Sequence, residues 1–313
     1  MNLLFLTSPF GGVYPFFENA LKKGLTVFAT VYSQSYTACN GQTLVRFCRQ
    51  NQVDWIVTFN GYFFSAKDKD LFHANQLPPL AVWLTEEPYY TSSSLDVLTF
   101  ATVAWSVESA SAAFYNNHST PISVTYVPLG YDDQSFYPAK NNGVPHYDLT
   151  FVGYPYESRM TWLKQIDQHF SLKVAVVGPW QKDDLPSKAD HIATWLSPEK
   201  VGRLYRQSRV VLNSYRTGNK DIEARSINNR TFEIAATATC QLSEYRSGIR
   251  DFFSPTDIAT FTNSENLRTQ LQKLLENDDI RTQYALSSYQ KVAEHTFYHR
   301  AQQLYKELHS YYS

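Results

Sequence analysis

The sequence predicts an α/β protein that contains two Rossmann-like domains in tandem. Short apolar runs rich in β-branched and aromatic residues alternate with segments of helical length, which is typical of parallel sheets covered by helices on both faces. The alternation stops once, at residues 130–148, in a segment with two prolines and two glycines, and then begins again. A length of 313 residues also suits two domains of ordinary size.

The first predicted domain, residues 1–140, contains six strand-like runs separated by helical segments. The expected strands are NLLFLTS, LTVFATV, VDWIVTFN, LAVWLTEE, ATVAWSV and SVTYVPLG, and helices are expected at 15–23, 41–51 and 107–118. Strands that are apolar along their whole length indicate a parallel sheet that is buried on both faces.

The second predicted domain, residues 147–295, repeats this pattern with the strands YDLTFVGYP, LKVAVVGPW, RVVLNSYR and CQLSEY. Helices are expected in SRMTWLKQIDQHF, in SPEKVGRLYRQS, and at 230–238, 264–275 and 279–294. The remaining segment, 296–313, is long enough to form a helix that crosses back onto the first domain. Two such domains in tandem are expected to leave a cleft between them.

Composition excludes several classes of protein. Hydrophobic residues make up 43% of the chain and charged residues 18%, which indicates a globular protein. With 28 basic and 29 acidic residues the net charge is −1, so we expect no electrostatic attraction to polymeric nucleic acid or to an anionic membrane. Peripheral membrane contact by other means stays open.

The cysteines and the N-terminus indicate a cytoplasmic protein. Cys39, Cys48 and Cys240 are too few and too irregularly spaced for a disulfide framework or a zinc site. The start, MNLLFLTSPFGG, has no basic region and only a short apolar run, which favours a first strand over a signal peptide. No apolar stretch approaches the length of about 18 residues that a transmembrane helix needs.

The segment RSINNRTFEIAATATCQLSEY, residues 225–245, places polar residues where an apolar helix is expected to begin. Asn228 and Asn229 can cap this helix, and Glu233 in its first turn would complement the helix dipole. Alternatively, these groups face a ligand that carries hydroxyl groups and negative charge, since helix N-termini favour anions.

Two further motifs follow predicted strands of the first domain. Gly11 and Gly12, in TSPFGGVYPFF, lie at a strand-to-helix turn where backbone N–H groups can approach a phosphate or a sugar closely; the alternative is an ordinary turn. Glu86 and Glu87, in WLTEEPYY, lie where a parallel strand ends, the edge at which open α/β sheets bind ligands. Either carboxylate could act as a general base for a hydroxyl group, or both could belong to a solvated loop.

One motif of this kind lies in the second domain. In FVGYPYESRM a strand ends at Gly153, and Arg159 follows near the start of a helix, where it could bind a diphosphate or form a surface ion pair. The chain lacks a G-x-G-x-x-G fingerprint at every strand end, which argues against a nicotinamide enzyme.

Two apparent metal motifs are not expected to bind metal. Asp68 and Asp70 form a D-x-D, but they lie in SAKDKDLFHANQLP, which is predicted to be a polar loop with no strand leading into it. His295 and His299 have helical metal-pair spacing, but no third ligand is nearby in the sequence.

Five motifs in order resemble the CgeB-like (spore-maturation-protein-like) glycosyltransferase family, part of the GT-B superfamily. They are VPLGYDDQSFYP, YDLTFVG with its following arginine, SRVVLNSYR, NNRTFEIAATATCQLSEY and EHTFYHR. The resemblance is densest over residues 126–306, and WLTEEP in the first domain also resembles the acidic-proline motif of the family.

The resemblance implies a GT-B enzyme whose second domain binds a nucleoside diphosphate sugar, with UDP as the expected nucleotide, and whose first domain binds a glycan or protein acceptor. It implies no metal and no other cofactor, and on this view Glu86 and Glu87 are the catalytic candidates. Glu233 matches the ribose-binding glutamate of the family. The other donor-binding residues that the resemblance implies are Asn229 and Arg230 beside the diphosphate, Gly153 and Arg159 at the first strand end, Gly11 and Gly12 in the glycine-rich loop, and Gly178 at the turn that lines the base.

The chain departs from the family pattern at three positions. Arg225 stands where related retaining enzymes carry a second glutamate, Met160 stands where a lysine is common, and Ala238 stands where a glycine is usual. The departures leave the stereochemical course and the transferred sugar open. Two other functions also stay open: a noncatalytic nucleotide-sugar-binding module and a GT-B-fold sugar-nucleotide epimerase.

Overall fold

The computed structural model describes residues 1–118, 120–139, 143–216 and 221–311. These form two compact units. The N-terminal unit contains the described residues up to Leu129, residues 221–226 and residues 297–311. The C-terminal unit contains the described residues between Gly130 and 216 and those from Ile227 to Thr296.

The N-terminal unit has a six-stranded parallel sheet in the order β2-β1-β3-β4-β5-β6. Its strands are β1 (Asn2–Thr7), β2 (Thr30–Ser35), β3 (Trp55–Phe59), β4 (Leu80–Leu84), β5 (Val103–Ser106) and β6 (Val124–Tyr126). Its helices are α1 (Tyr14–Leu25), α2 (Gly41–Gln50), α3 (Ala66–His73), α4 (Thr91–Leu98) and α5 (Ser109–Asn117).

The C-terminal unit has a second six-stranded parallel sheet, in the order β12-β11-β10-β7-β8-β9. Its strands are β7 (Tyr147–Val152), β8 (Val174–Val177), β9 (Ala189–Ala193), β10 (Ser208–Asn213), β11 (Gln241–Glu244) and β12 (Ala259–Phe261). Its helices are α6 (Glu157–His169), α7 (Pro198–Arg206), α8 (Asn229–Ala236), α9 (Ser264–Glu276) and α10 (Asp278–Val292).

The last helix, α11 (Phe297–Ser310), belongs to the N-terminal unit. Ala301 on this helix is fully buried, and a Cβ added at Gly24 of α1 would lie only 2.7 Å from the Ala301 Cβ. The Trp105 indole also donates a hydrogen bond to Glu307 at 2.7 Å. Close packing between α1 and α11 therefore fixes the C-terminal helix on this unit.

The α/β class with two parallel sheets is confirmed, whereas several elements differ from the prediction. The second strand lies at Thr30–Ser35 and not at 25–31, because Leu25 completes α1 and the strand itself is half exposed at the sheet edge. Helices α3 and α4 and strands β9 and β12 were not predicted. In the described part of the chain, no helix is long and apolar enough to cross a membrane.

Candidate functional site

In each sheet the order in which the chain adds strands reverses once. The loops that follow the two strands at this reversal lie next to each other. In the C-terminal unit, β7 and β10 are neighbours, with Phe151 opposite Leu212, although the chain fills the sheet outward from β7 on one side and from β10 on the other. Ligands of open α/β sheets bind outside the carboxyl ends of the strands at such a point. Here these ends lead to Gly153 and α6, and to Ser214 and the segment before α8.

The N-terminus of α8 is held by an asparagine pair. Asn228 is the N-cap, and its Oδ1 accepts a hydrogen bond from the Thr231 backbone N–H at 3.2 Å. Asn213, fully buried at the end of β10, donates to Asn228 Oδ1 at 3.2 Å and accepts from Asn228 Nδ2 at 3.1 Å. The sequence marks Asn228 as a cap but gives no signal that Asn213 is its partner.

Glu233 lies deeper in α8 than the sequence suggests. It is the fifth residue of the helix, so the predicted position in the first turn is wrong and the helix-dipole interpretation loses its basis. Its side chain is 8% exposed, and its Oε1 accepts a hydrogen bond from Asn229 Nδ2 at 2.5 Å. Burial raises the pKa of Glu233 to about 7, although Arg230 and Asn229 act in the opposite direction.

A carboxyl group buried in this way is a strong hydrogen-bond acceptor when it ionises and has few protein donors of its own. Asn229, Arg230 and Glu233 lie together in the first five residues of α8. A cation beside the helix N-terminus suits an anionic ligand, and the carboxylate suits hydroxyl groups.

Gly153 and Gly178 lie in contact at the ends of β7 and β8. A Cβ added at Gly178 would lie 2.1 Å from the Gly153 carbonyl oxygen, and φ at Gly178 is +143°. The Gly153 carbonyl also accepts a hydrogen bond from Trp180 Nε1 at 2.8 Å. Glycine is thus required at 178 by the close approach of two backbone segments.

Arg159 is buried, so it does not lie on the surface as the alternative interpretation requires. It is 6% exposed and donates to the carbonyl groups of Tyr154 at 3.2 Å and Ser214 at 3.1 Å. These bonds link the loops that follow β7 and β10. The next residue, Met160, packs against the apolar core of the unit, so position 160 supplies no charge to the loop.

A second arginine lies beside Arg159. The guanidinium groups of Arg159 and Arg216 lie 4.8 and 5.2 Å from the ring centroid of Tyr156, the N-cap residue of α6. Arg246, after β11, donates to the Arg216 carbonyl at 3.0 Å. Positive charge therefore collects where β7, β10 and β11 end, a concentration that the sequence motifs did not reveal.

The N-terminal unit carries a polar cluster at the carboxyl ends of β3 and β4. Tyr14 Oη donates to Glu86 Oε1 at 2.6 Å and accepts from Asn60 Nδ2 at 2.9 Å. Asn60 Oδ1 accepts from the Thr85 backbone N–H at 2.7 Å, and Asn60 itself has a left-handed backbone with φ +59°. Burial, followed by the nearby Glu86 carboxylate, raises the pKa of Tyr14, so its hydroxyl stays a hydrogen-bond donor.

The two glutamates predicted as alternative bases have different surroundings. Glu86 is partly exposed at the strand end, whereas Glu87 is 5% exposed and points into the unit. Glu87 accepts a hydrogen bond from Tyr115 Oη at 2.8 Å and another from the Ser94 hydroxyl. Burial raises the pKa of Glu87. Its enclosure argues against contact with a substrate hydroxyl, so of the two only Glu86 has the surroundings of a base.

The predicted glycine loop follows β1. Gly11 and Gly12 are exposed, and a Cβ at either would meet open space, so neither is required by packing. The loop begins at Ser8, whose backbone N–H and hydroxyl both donate to Glu18 of α1 at 2.7 Å. Burial raises the pKa of Glu18, which the sequence did not single out.

The side chain of Arg225 is exposed, and its backbone N–H donates a hydrogen bond to Glu108. The buried carboxylate of Glu108, the N-cap of α5, accepts from the backbone N–H groups of Arg225 and Ser226 at 3.0 Å each. Arg225 and Ser226 belong to the same unit as Glu108. Glu108 therefore fixes the position where related retaining enzymes are expected to carry a glutamate.

The segment around Asp68 is a helix, so the predicted polar loop is wrong. Asp68 is 1% exposed in a capping box with Ser65 at the start of α3, and it accepts from Tyr36 Oη at 2.7 Å. Burial opposes ionisation of Asp68, but its hydrogen bonds from Ser65 and Tyr36 outweigh burial and lower its pKa.

The ring of His295, in the second apparent metal motif, stacks on Phe232 at 4.9 Å. Within the described residues, no group of three His, Cys, Asp or Glu side chains is placed to hold a metal ion.

Sequence comparison identifies relatives of the chain. A family profile described as glycosyl transferase-like matches residues 159–306. Spore protein CgeB of Bacillus subtilis (strain 168) is 27% identical over 271 residues, which cover 78% of this chain and 80% of CgeB. The chain is a relative of CgeB. This result confirms the resemblance that the five motifs predict.

Solved structures share the fold of this CgeB relative over almost its whole length. Sucrose-phosphate synthase from Thermosynechococcus elongatus matches with a TM-score of 0.69 at 10% identity, covering 99% of both chains. HepE from Anabaena, in complex with UDP-glucose, matches with a TM-score of 0.68 at 10% identity, covering 99% of this chain and 100% of HepE. At such identities the matches establish the fold, which is GT-B as predicted.

Proposed function

We propose that this CgeB relative transfers a sugar from a nucleoside diphosphate sugar, with UDP as the nucleotide, to a glycan or protein acceptor. The observation that carries the proposal is the Asn229–Arg230–Glu233 group in α8, within the glycosyl transferase-like region. Two proteins of the same fold, HepE and the DNA-modifying β-glucosyltransferase, are described with UDP-glucose.

In this proposal the C-terminal unit binds the donor. Glu233 accepts hydrogen bonds from the ribose hydroxyl groups, which fits a buried carboxyl group with one protein donor on Oε1. Arg230 and Arg216 neutralise the diphosphate, since Met160 lies in the core where relatives supply a lysine. Arg159 holds the loops that follow β7 and β10 through carbonyl contacts, and Gly178 allows the backbone after β8 to approach Gly153 after β7.

The acceptor hydroxyl is activated by Glu86 in the N-terminal unit. A carboxylate at the end of a parallel strand, partly exposed and oriented by Tyr14, has the surroundings of a general base. Positioning and stabilisation of the departing diphosphate supply the rest of the rate enhancement. The proposal includes no metal and no other cofactor, and Asp68 of the D-x-D is committed to the helix cap.

The test is incubation of the purified protein with UDP-sugars, with UDP release and sugar transfer both measured. We expect slow donor hydrolysis without acceptor, no loss of rate in chelator, and a fall of about 10²-fold or more in turnover for Glu86→Gln with unchanged UDP affinity. Asp70→Asn, at the exposed second position of the D-x-D, is the matched control and should keep the wild-type rate.

Each contrary outcome identifies another function. UDP-sugar binding without any turnover would indicate a noncatalytic binding module. Conversion of the sugar to another sugar in the absence of acceptor would indicate an epimerase. Activity that disappears in chelator and returns with manganese or magnesium would overturn metal independence.

A further inference from the structure

Aromatic side chains follow the carboxyl ends of three neighbouring strands in the N-terminal unit. In the sheet order β2-β1-β3, Tyr36 directly follows β2, Phe10 lies in the loop after β1, and Phe63 lies in the loop after β3. Tyr14 opens α1 beside Phe10. We call Phe10, Tyr14, Tyr36 and Phe63 the aromatic strip.

The four rings form a continuous chain of contacts. The centroid distances are 4.7 Å for Tyr36–Phe63, 6.0 Å for Phe63–Phe10 and 5.2 Å for Phe10–Tyr14. All four side chains are partly exposed, unlike Phe64 beneath them, which is 5% exposed. Their contacts with one another are tilted or edge-to-face, which holds the rings at fixed angles.

The strip is continuous with the polar cluster described above. Tyr14 belongs to both, because its ring contacts Phe10 and its hydroxyl bonds to Glu86 and Asn60. Glu86 follows β4, the next strand in the sheet. From β2 to β4 there are three strand spacings, or about 14 Å along the edge. One end of this surface therefore offers a carboxylate and an amide, and the remainder offers partly exposed aromatic rings.

We propose that the aromatic strip binds an oligosaccharide, with the sugar that reacts at Glu86 and further sugars over Phe10, Phe63 and Tyr36. The proposal rests on the proposed glycosyl transfer and specifies its acceptor as a chain of sugars. A sugar ring has C–H groups that lie against the electron-rich face of an aromatic ring, and hydroxyl groups that bond to carboxylate and amide groups. The aromatic rings and the carboxylate and amide groups lie one after another along the carboxyl edge of this sheet.

Neither a peptide that adds as a β-strand nor a lipid fits this surface as well. A peptide strand would pair with the backbone of an exposed sheet edge, whereas the strip lies across the strand ends. A lipid chain would leave the Glu86 carboxylate and the Asn60 amide against hydrocarbon, which is unfavourable for polar groups. An oligosaccharide satisfies the polar cluster and the rings together.

Direct binding tests the inference without any need for turnover. The whole protein is applied to an array of defined linear oligosaccharides, their monosaccharides, unglycosylated peptides and phospholipid vesicles, and binding is then quantified by calorimetry. We expect at least one oligosaccharide to bind at least tenfold more tightly than its monosaccharide. Phe63→Ala and Phe10→Ala should remove that advantage while UDP affinity stays unchanged.

Phe10→Leu keeps an apolar side chain and removes only the ring. If ring stacking contributes to binding, this variant should keep the fold but no longer bind the oligosaccharide more tightly than its monosaccharide. Tyr289→Ala, which removes an exposed ring in the C-terminal unit, is the control and should bind as the wild type does. Binding to peptides or vesicles alone, to no glycan, or with equal affinity by the Phe10 variants and the wild type would overturn the inference. UDP binding is a separate arm, so failure of the donor proposal is seen independently.

Discussion

Replacement of Glu233 by glutamine gives the most direct test of the donor site. Glutamine preserves the size of the side chain and an oxygen that accepts from Asn229, but it cannot ionise. If burial raises the pKa of Glu233 as the structure indicates, the ionised acid destabilises the folded, ligand-free protein and the variant does not. The variant should therefore be the more stable protein at neutral and alkaline pH.

The magnitude follows from the pKa values. The ordinary value is 4.5 and the folded value is about 7, which at 1.36 kcal/mol per pKa unit corresponds to about 3 kcal/mol. Because the pKa of Glu233 is higher in the folded state, the folded protein holds the proton more tightly than the unfolded chain does. The contribution of Glu233 to the free energy of unfolding is therefore fully present below pH 4.5 and is lost as the pH rises to about 7. The advantage of Glu233→Gln should grow from about 1 kcal/mol at pH 5 to about 3 kcal/mol at pH 8.

Urea unfolding of both proteins at several pH values measures this difference. Glu157→Gln, an exposed glutamate on α6, is the control, and its difference from the wild type should not vary with pH in this way. A difference between Glu233→Gln and the wild type that stays constant from pH 5 to pH 8 would refute the reasoning, because the buried acid would then not titrate as inferred.

The same variant tests the ligand role. Hydrogen bonds to a charged group contribute about 1.5–3 kcal/mol, so Glu233→Gln should weaken UDP binding about tenfold or more. The wild type should bind 2′-deoxy-UDP more weakly than UDP by a similar factor, whereas the variant should bind the two nucleotides with nearly equal affinity. Since ribose hydroxyls stabilise the ionised acid, the preference of the wild type for UDP over 2′-deoxy-UDP should increase as the pH rises through 7. Equal affinities in all four calorimetric titrations would remove Glu233 from the donor site.

Three further predictions concern the C-terminal unit. Gly178→Ala should lower the free energy of unfolding by about 3 kcal/mol in urea titrations, because its Cβ would strike the Gly153 carbonyl; an unchanged midpoint would contradict the packing. Ala238→Gly should raise the free energy of unfolding by about 0.5–1 kcal/mol, since Ala238 has φ +52° after α8, and a loss of stability would contradict this conformation. Arg216→Gln should weaken UDP binding about tenfold without affecting uridine, whereas Arg203→Gln on the exposed face of α7 should affect neither; equal UDP loss in both variants would indicate a nonspecific charge effect.

The sequence predicts the central strands well because they are buried on both faces. Strands β3 and β4 are buried at every position and stand out as apolar runs. The edge strands β2 and β9 are half exposed, so their sequences lack an apolar run, and β2 was placed too early while β9 was missed. Helix α3 was missed for a related reason, since its polar sequence is stabilised by the capping box of Ser65 and Asp68.

The sequence also brings the three proposed donor-binding residues together, because Asn229, Arg230 and Glu233 lie within one helix. It could not separate Glu86 from Glu87, because side-chain direction after a strand end follows no period. The contacts that distinguish them come from Tyr14, 72 residues away, and Tyr115, 28 residues away. Contacts over such separations depend on the strand order of the sheet.

Each of the two candidate sites, at the carboxyl edges of the two sheets, contains an unfavourable local feature. In the C-terminal unit, Glu233 is buried with a raised pKa. In the N-terminal unit, Asn60 has a left-handed backbone, and its side chain holds Tyr14 beside Glu86. A folded chain keeps such features when the surrounding structure fixes them for a function, because a neutral or relaxed residue would be more stable. A ligand that donates hydroxyl groups would relieve the burial of Glu233, so the destabilisation by the buried acid and the proposed affinity for ribose would have the same origin.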